Sequence, residues 1–257
     1  MSPRDRIKAA LSRGQGDEAA IVAYLTAGYP DPERFFAALE DVAQVADAVE
    51  IGVPFSDPMA DGVTIQRSSE RAIEHGVSLR WIFDELARRQ LELAPPVLLM
   101  SYLNPLLVFG YEALAERSVE CGISGYIVPD LPYEESGPLQ AALRERGLAL
   151  VQMVTPVTPA ARLEALCEAS EGFVYAVTRT GITGRAVALP AEATEYLARV
   201  KAASDIPVCA GFGVRERAQV EAIERHADGV VVGTALVEVL ERGEDAAEFV
   251  RSLGPAR

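Results

Sequence analysis

The chain has 257 residues, 49% of them hydrophobic and 24% charged, and 24 basic against 38 acidic side chains leave a formal net charge of −14. That length suits one large α/β unit or two small ones, and it can bury a sizeable core without metals or disulfides. So acidic a surface repels nucleic acid and anionic membranes, which makes both poor partners. The three cysteines, Cys121, Cys167 and Cys209, show no Cys-x-x-Cys spacing and read as free thiols of a reducing compartment. Arg4, Asp5, Arg6 and Lys8 interrupt any apolar leader at the N-terminus. No apolar run approaches the roughly 20 residues needed to cross a bilayer. A cytoplasmic protein is expected.

In chain order, residues 4–12 have the spacing of an amphipathic helix ahead of the first strand, placed to cap the bottom of a barrel. Short apolar, β-branched runs then alternate with longer amphipathic stretches. The runs predict strands at 21–27, 48–53, 97–102, 125–128, 148–154, 173–178, 207–211 and 229–233. Helical patterns follow them, among others at 32–46, 111–121, 134–146, 160–170, 191–203 and 214–226, with an added helix at 78–91. The strands are apolar on both faces, as parallel strands buried between an inner core and outer helices must be. Eight successive βα units and no Pro/Ser-rich linker predict an α/β fold. It is a single (β/α)8 TIM-barrel domain over residues 1–257 with an extra N-terminal helix.

In such barrels the chemistry lies at the C-terminal strand ends. Glu50, Asp130, the loop after Thr178 and glycine turns near Gly213 and Gly233 fall there. Glu50 stands between Val49 and Ile51 in an apolar strand, so it faces the barrel mouth or is buried at a desolvation cost. Desolvation raises a carboxyl pKa and suits it to proton transfer near neutrality. The competing reading is a glutamate paired with a buried cation, but the strand runs carry essentially no Lys or Arg. Asp61 follows a loop rich in Pro and Gly, and Asp61-Gly62 is also an ordinary turn signal. Physical reasoning on the residues alone does not choose between these, and Asp57 before Pro58 is equally ambiguous.

Glycine clusters follow the last three strands at Thr180-Gly-Ile-Thr-Gly184, Gly211-Phe-Gly213 and Gly233-Thr234-Ala235. Glycine lets backbone N–H groups approach an anion, and a helix N-terminus adds positive partial charge. Loops after strands seven and eight are a recurrent phosphate site in this fold. No lysine sits in these turns, so the main chain is the expected source of positive potential. The loop from Arg179 to Pro190 is long for a βα connection and reads either as a lid or as a plain surface loop. His75 and His226 lie near helix ends and form no metal site with neighbouring residues.

The segment Glu50-Ile-Gly-Val-Pro-Phe-Ser-Asp-Pro-Met-Ala-Asp61-Gly62 resembles the signature of the α-subunit family of tryptophan synthase. Ala23-Tyr-Leu-Thr-Ala-Gly-Tyr-Pro30, Gly181-Ile-Thr-Gly184, Gly211-Phe-Gly213 and Val232-Gly-Thr-Ala235 resemble it too, in the right order on the right strands. The resemblance implies a lyase that splits indole-3-glycerol phosphate into indole and glyceraldehyde 3-phosphate by a retro-aldol reaction. It implies Glu50 as general acid/base and Asp61 as the carboxylate that holds the indole N–H. Thr183 is then the residue securing lid closure, and Tyr175 a tyrosine near the substrate. The phosphate is expected around Gly184, Gly213, Gly233 and Thr234, and the indole among Tyr24, Tyr102, Ile127 and Phe212. Tyr24 stands where many relatives have Phe, Val63 where many have Pro, and Thr234 where Ser is usual. The implied partner is a pyridoxal-phosphate-dependent β subunit in an α2β2 heterotetramer, met by the loop carrying Asp57 and Pro58. No cofactor is expected in this chain. A stand-alone lyase of the same family, another phosphate-binding barrel enzyme and a non-catalytic partner-binding barrel remain the alternatives.

Overall fold

In a computed structural model of the protein the described residues are 1–14, 17–177, 190–211 and 213–254. Eight strands close in chain order: β1 (Ala20–Thr26), β2 (Ala48–Gly52), β3 (Val97–Met100), β4 (Ile123–Ile127), β5 (Ala149–Val154), β6 (Val174–Val177), β7 (Val208–Gly211) and β8 (Gly229–Val232). All pair in parallel, and β8 returns to β1 in register from Ala20 with Gly229 to Ala23 with Val232, which leaves no free sheet edge. This is the closed α/β barrel that the alternating pattern predicts.

Before β1 comes α1 (Pro3–Leu11). Between β1 and β4 lie α2 (Pro32–Ala43), α3 (Val63–Glu74), α4 (Leu79–Arg89), α5 (Leu103–Phe109) and α6 (Tyr111–Glu120). The later strands alternate with α7 (Gly137–Glu145), α8 (Ala160–Ala169), α9 (Ala191–Ala202) and α10 (Arg217–Ile223), and β8 is followed by α11 (Thr234–Arg242) and α12 (Ala246–Leu253).

Local chemistry explains where several elements depart from the predicted bounds. The expected helix 134–146 is a 3-10 turn, Tyr133–Glu135, and then α7, because Pro138 in the first turn of α7 cannot continue a helix arriving from upstream. The expected helix 214–226 starts only at Arg217, where Glu216 and Gln219 form a capping box. The Gln219 Oε1 also accepts the Arg215 N–H at 2.7 Å, which holds residues 214–216 out of the helix. The third strand stops at Met100, since the chain turns at Ser101 and Tyr102 into α5. Asp130 closes that turn by accepting the Leu103 N–H at 2.8 Å, so this residue caps a helix.

Alternation along each strand separates two cores. Ala20, Val22, Ala48, Leu98, Ile127, Ala149, Phe173 and Cys209 fill the barrel, while Ile21, Ala23, Leu25, Val49 and Ile51 pack outward against helices. Ile7 and Leu11 of α1, both fully buried, belong to the inner set, so α1 plugs the N-terminal end as its spacing predicts. Three carboxylates reinforce that end. Asp47, Glu171 and Asp228 accept the N–H groups of Ile21, Leu150 and Val208 at 2.8, 3.0 and 2.7 Å. Each also holds a cation, with Arg13, Arg144 and Lys201 all at 2.7 Å. The closed end is therefore rigid, and the open end is left for loops.

Truncating the plug tests this arrangement. Leu11→Ala is expected to lower the unfolding free energy by about 2–5 kcal/mol in urea titrations, as for other large-to-small changes in a packed core. An unchanged midpoint would show that α1 is dispensable to the barrel.

Candidate active site

Register places Tyr24 of β1 beside Glu50 of β2, and Glu50 beside Leu98 of β3, so the three side chains share the inner face. Space for the aromatic residues is made by glycines on neighbouring strands. A Cβ on Gly52 would lie 2.1 Å from the Tyr24 hydroxyl oxygen, and one on Gly211 would lie 2.6 Å from Cε2 of Tyr175. Tyr24 and Tyr175 are thereby drawn into the mouth of the barrel, where a side chain at 52 or 211 would push them out.

Glu50 is 0% exposed, and neither carboxylate oxygen has a hydrogen-bond partner. Burial, with a smaller contribution from the Asp61 charge, raises its carboxyl to about 8. No cation among the described residues pairs with it, so the paired-glutamate reading does not hold in this structure. Asp61 is half-buried, and burial raises its carboxyl above the ordinary range, opposed by a hydrogen bond from Tyr102. The Tyr102 hydroxyl also accepts the Ala60 N–H at 2.9 Å, its ring stacks on Phe55 at 5.0 Å, and the Gln66 Nε2 donates to the Asp61 carbonyl at 2.8 Å. Asp61 is thus held at the mouth by both ends of its own loop, which is more than a turn residue requires.

Both carboxyl groups open on one cavity of about 990 Å³. Of the residues expected to bind substrate, Tyr24, Tyr175, Gly213, Gly233 and Thr234 line it. Gly213 has a φ of +66°, a left-handed conformation that glycine adopts without strain. Thr234 is the first residue of α11, and no side-chain cap is found among the described residues, so the start of that helix borders the cavity with no side chain capping it. Tyr102 and Ile127 are not among the lining residues. Tyr102 is occupied in holding the Asp61 loop, and Ile127 is buried in the inner core. Asp57 is exposed on that loop and accepts from the Ser56 hydroxyl at 2.5 Å; Pro58 is half-buried beside it. Thr183, Gly184 and Phe212, together with the proposed lid, lie outside the described residues. No group of three or more His, Cys, Asp or Glu suited to a metal occurs among the described residues.

The apolar wall includes residues that were not anticipated from the sequence. Met100, Met153, Val177, Val231 and Ile65 line the cavity, as do Pro129 and residues 155–157. The signal was present for the first four: in strand register they continue the two-residue period of the inner face. The loop residues carry no such period.

Comparison with known proteins follows this geometry. The family model described as "Tryptophan synthase alpha chain" matches residues 11–253. A tryptophan synthase alpha chain of Nitratidesulfovibrio vulgaris is 42% identical over 248 residues, 96% of this chain and 95% of the relative. A chain of Mycobacterium tuberculosis tryptophan synthase in its aminoacrylate-bound form superposes with a TM-score of 0.86 at 36% identity, covering 98% of each chain. A chain from a study of mutual activation in the tryptophan synthase α2β2 complex of Pyrococcus furiosus gives 0.84 at 36% identity, covering 92% of this chain and 98% of that one.

The state of Glu50 can be measured through stability alone. Its carboxyl is raised on folding, so the stability it contributes is full below pH 4.5 and is lost as pH rises through about 8. Glu50→Gln does not titrate. It is expected to match the parent near pH 4.5 and to exceed it above pH 8 by on the order of a few kcal/mol in chemical denaturation. A gap independent of pH would mean that Glu50 is not buried as a neutral acid.

Proposed function

The chain belongs to the tryptophan synthase alpha chain family, and from that premise we propose that its barrel splits indole-3-glycerol phosphate into indole and glyceraldehyde 3-phosphate. It is a carbon–carbon lyase of the last stage of L-tryptophan biosynthesis. The observation that carries the reading is the buried, unpartnered carboxyl of Glu50 facing Asp61 across a cavity bounded by glycine turns.

The retro-aldol reaction needs a proton delivered to indole C3 and a proton removed from the adjacent side-chain hydroxyl. Near neutral pH Glu50 is held largely neutral, so it can give its proton to C3. Positive charge then develops on the ring nitrogen, where the Asp61 carboxylate hydrogen-bonds the N–H and stabilises it. The Glu50 carboxylate takes the hydroxyl proton as the C–C bond breaks. Its electron pair restores the indole ring, the aldehyde forms, and Glu50 is again protonated. Tyr24, Tyr175 and the methionine wall enclose the apolar ring. The phosphate lies against the backbone at Gly213, Gly233 and Thr234, where the start of α11 supplies positive potential without a lysine. The family resemblance also assigns Gly184 to phosphate binding, Phe212 to the indole pocket and Thr183 to lid closure, all three outside the described residues.

The chain acts as the α subunit of an α2β2 assembly. Support comes from the Pyrococcus furiosus relative, described as part of such a complex, and from the names of the curated relatives, which favour a subunit over a stand-alone lyase. Met59 and Val63 flank Asp61 with 80% and 75% exposure, and Val108 and Val157 are similarly bare, so the β subunit docks over the mouth with Asp57 and Pro58 in the contact. Pyridoxal phosphate belongs to that partner. In the same reading residues 1–257 form one domain, and the free thiols of Cys121, Cys167 and Cys209 support a cytoplasmic location.

With the β subunit present, Glu50→Gln is expected to lower kcat for indole release by about 10²–10⁴ while affinity for the analogue indolepropanol phosphate stays near that of the parent. Turnover close to normal in this variant would remove Glu50 from the mechanism. Separately, adding β subunit to the parent chain is expected to raise lyase turnover, and no stimulation would sink the subunit reading.

A further inference from the structure

The Tyr24 ring spans the cavity mouth from the phosphate end to the carboxyl end. A Cβ on Gly233 would meet the Tyr24 Cβ, Cγ and Cδ1 at 3.7 Å, while the hydroxyl at the far end of the ring lies over Gly52. Tyr24 pairs with Glu50, and Gly52 is the next residue of β2 on the same inner face, one step nearer the mouth. The hydroxyl therefore stands beside the Glu50 carboxyl, on its cavity side, and away from the glycine cradle.

Behind that hydroxyl runs a buried polar chain. The Thr26 hydroxyl donates to the Tyr24 oxygen at 3.3 Å and lies 2.7 Å from the Ser68 Oγ, with Thr26 and Ser68 both buried. The contact between Thr26 and Ser68 can run in either direction, but in the contact with Tyr24 only the threonine donates. Each hydroxyl has a single proton. Thr26 directs its own at Tyr24, so Ser68 donates to Thr26. Ser68 also reaches the Ile65 carbonyl at 2.8 Å, but that carbonyl lies inside α3 and is satisfied by the helix backbone. The three hydroxyls then point the same way, out of α3 and into the cavity. At the end of the chain the Tyr24 proton has no acceptor among the described residues. Burial first, and then the nearby Asp61 and Glu50 charges, raise this hydroxyl well above the ordinary tyrosine range against the effect of the Thr26 bond, so it stays protonated.

We propose that Tyr24 is a further catalytic residue, which donates its O–H to the oxygen of the substrate hydroxyl that Glu50 deprotonates. The inference rests on the lyase reading and adds a residue to it. With the phosphate held at Gly213, Gly233 and Thr234, the substrate oxygen beside Glu50 is the one on the carbon whose bond to indole breaks. A donor on its lone pair leaves the substrate proton directed at Glu50. As Glu50 takes that proton and the C–C bond breaks, the oxygen gains partial negative charge on its way to the aldehyde, and the Tyr24 proton stabilises it. Tyr24 keeps its proton throughout, so the proton balance of the reaction is unchanged. Thr26 is a positioning residue: by donating to the Tyr24 oxygen it turns the Tyr24 proton towards the cavity and strengthens it as a donor.

Tyr24→Phe keeps the ring and removes the donor. With the β subunit present, its kcat for indole release is expected to fall about tenfold, the factor of one hydrogen bond to an oxygen that gains charge. Its affinity for indolepropanol phosphate, which lacks that hydroxyl, is expected to stay within about twofold of the parent's. Thr26→Val is expected to lower kcat about threefold in the parent and to have no further effect in Tyr24→Phe, since it acts through that hydroxyl. A parent-like kcat in Tyr24→Phe, an equal loss of analogue affinity, or a Thr26→Val effect that persists in the Tyr24→Phe background would overturn the inference. Each of those results leaves the lyase reading standing, because the parent still turns over; a parent without turnover would remove both.

Discussion

Glu50 sits at zero exposure with both oxygens unbonded, and a carboxyl group in that state is tolerable only while it keeps its proton. Water reaching it from the closed end of the barrel would solvate the charged form and return its pKa towards that of a free glutamate. The Ile7 and Leu11 plug and the inner layer of Ala20, Val22, Ala48, Leu98 and Phe173 exclude water from that side. The three paired carboxylates at the strand starts hold the plugged end together by hydrogen bonds to the strands themselves. The stability of the closed end and the acidity of the open end are therefore one property of the same packing.

The inner face is filled by unequal partners. Large side chains, Tyr24 and Tyr175, reach into the mouth over Gly52 and Gly211, positions where even a methyl group would collide with them. Lower in the barrel Gly125 lies against Ala149, where an added Cβ would meet backbone at 2.8 Å, and Gly229 lies against Ala20 and Cys209. Small residues thus permit strand closure at the bottom, and at the top they decide which aromatic rings face the cavity. Interiors packed to this density respond to single methyl groups, so the glycines shape the site without touching a ligand.

The barrel was legible because its signal is redundant: eight apolar runs separated by amphipathic stretches leave few other closures. Glu50 was legible for a related reason, since a charge between Val49 and Ile51 is anomalous wherever the strand lies. Asp61 was not, because its evidence is tertiary: the Tyr102 hydroxyl, forty-one positions along the chain, and Gln66 hold it in place. Only the resemblance of its segment to a known family separated it from a turn. The same limit applies to Tyr102, which reads as a pocket aromatic and is found bracing a loop, and to Asp130, which reads as a strand-end acid and is found capping α5. Local pattern reports which face a strand residue takes; it does not report what a side chain at a strand end will find across the mouth.

Depth sorts the two carboxyl groups into different chemistry. Both are raised by burial, but Asp61 is only half-buried and has a hydrogen bond from Tyr102 that favours its anion, whereas Glu50 has no such bond. Asp61 therefore ionises first as pH rises. Once charged, it opposes ionisation of Glu50, which is the second cause of the rise to about 8. Once Asp61 has ionised and while Glu50 has not, the site holds one anion at the mouth and one neutral acid beneath it. A reaction that needs a proton donor and a fixed negative charge finds both already in place, and an exchange of the two roles would demand a buried anion beneath an exposed acid. The roles proposed for them, proton transfer for Glu50 and charge stabilisation for Asp61, accord with which of the two the barrel hides more completely.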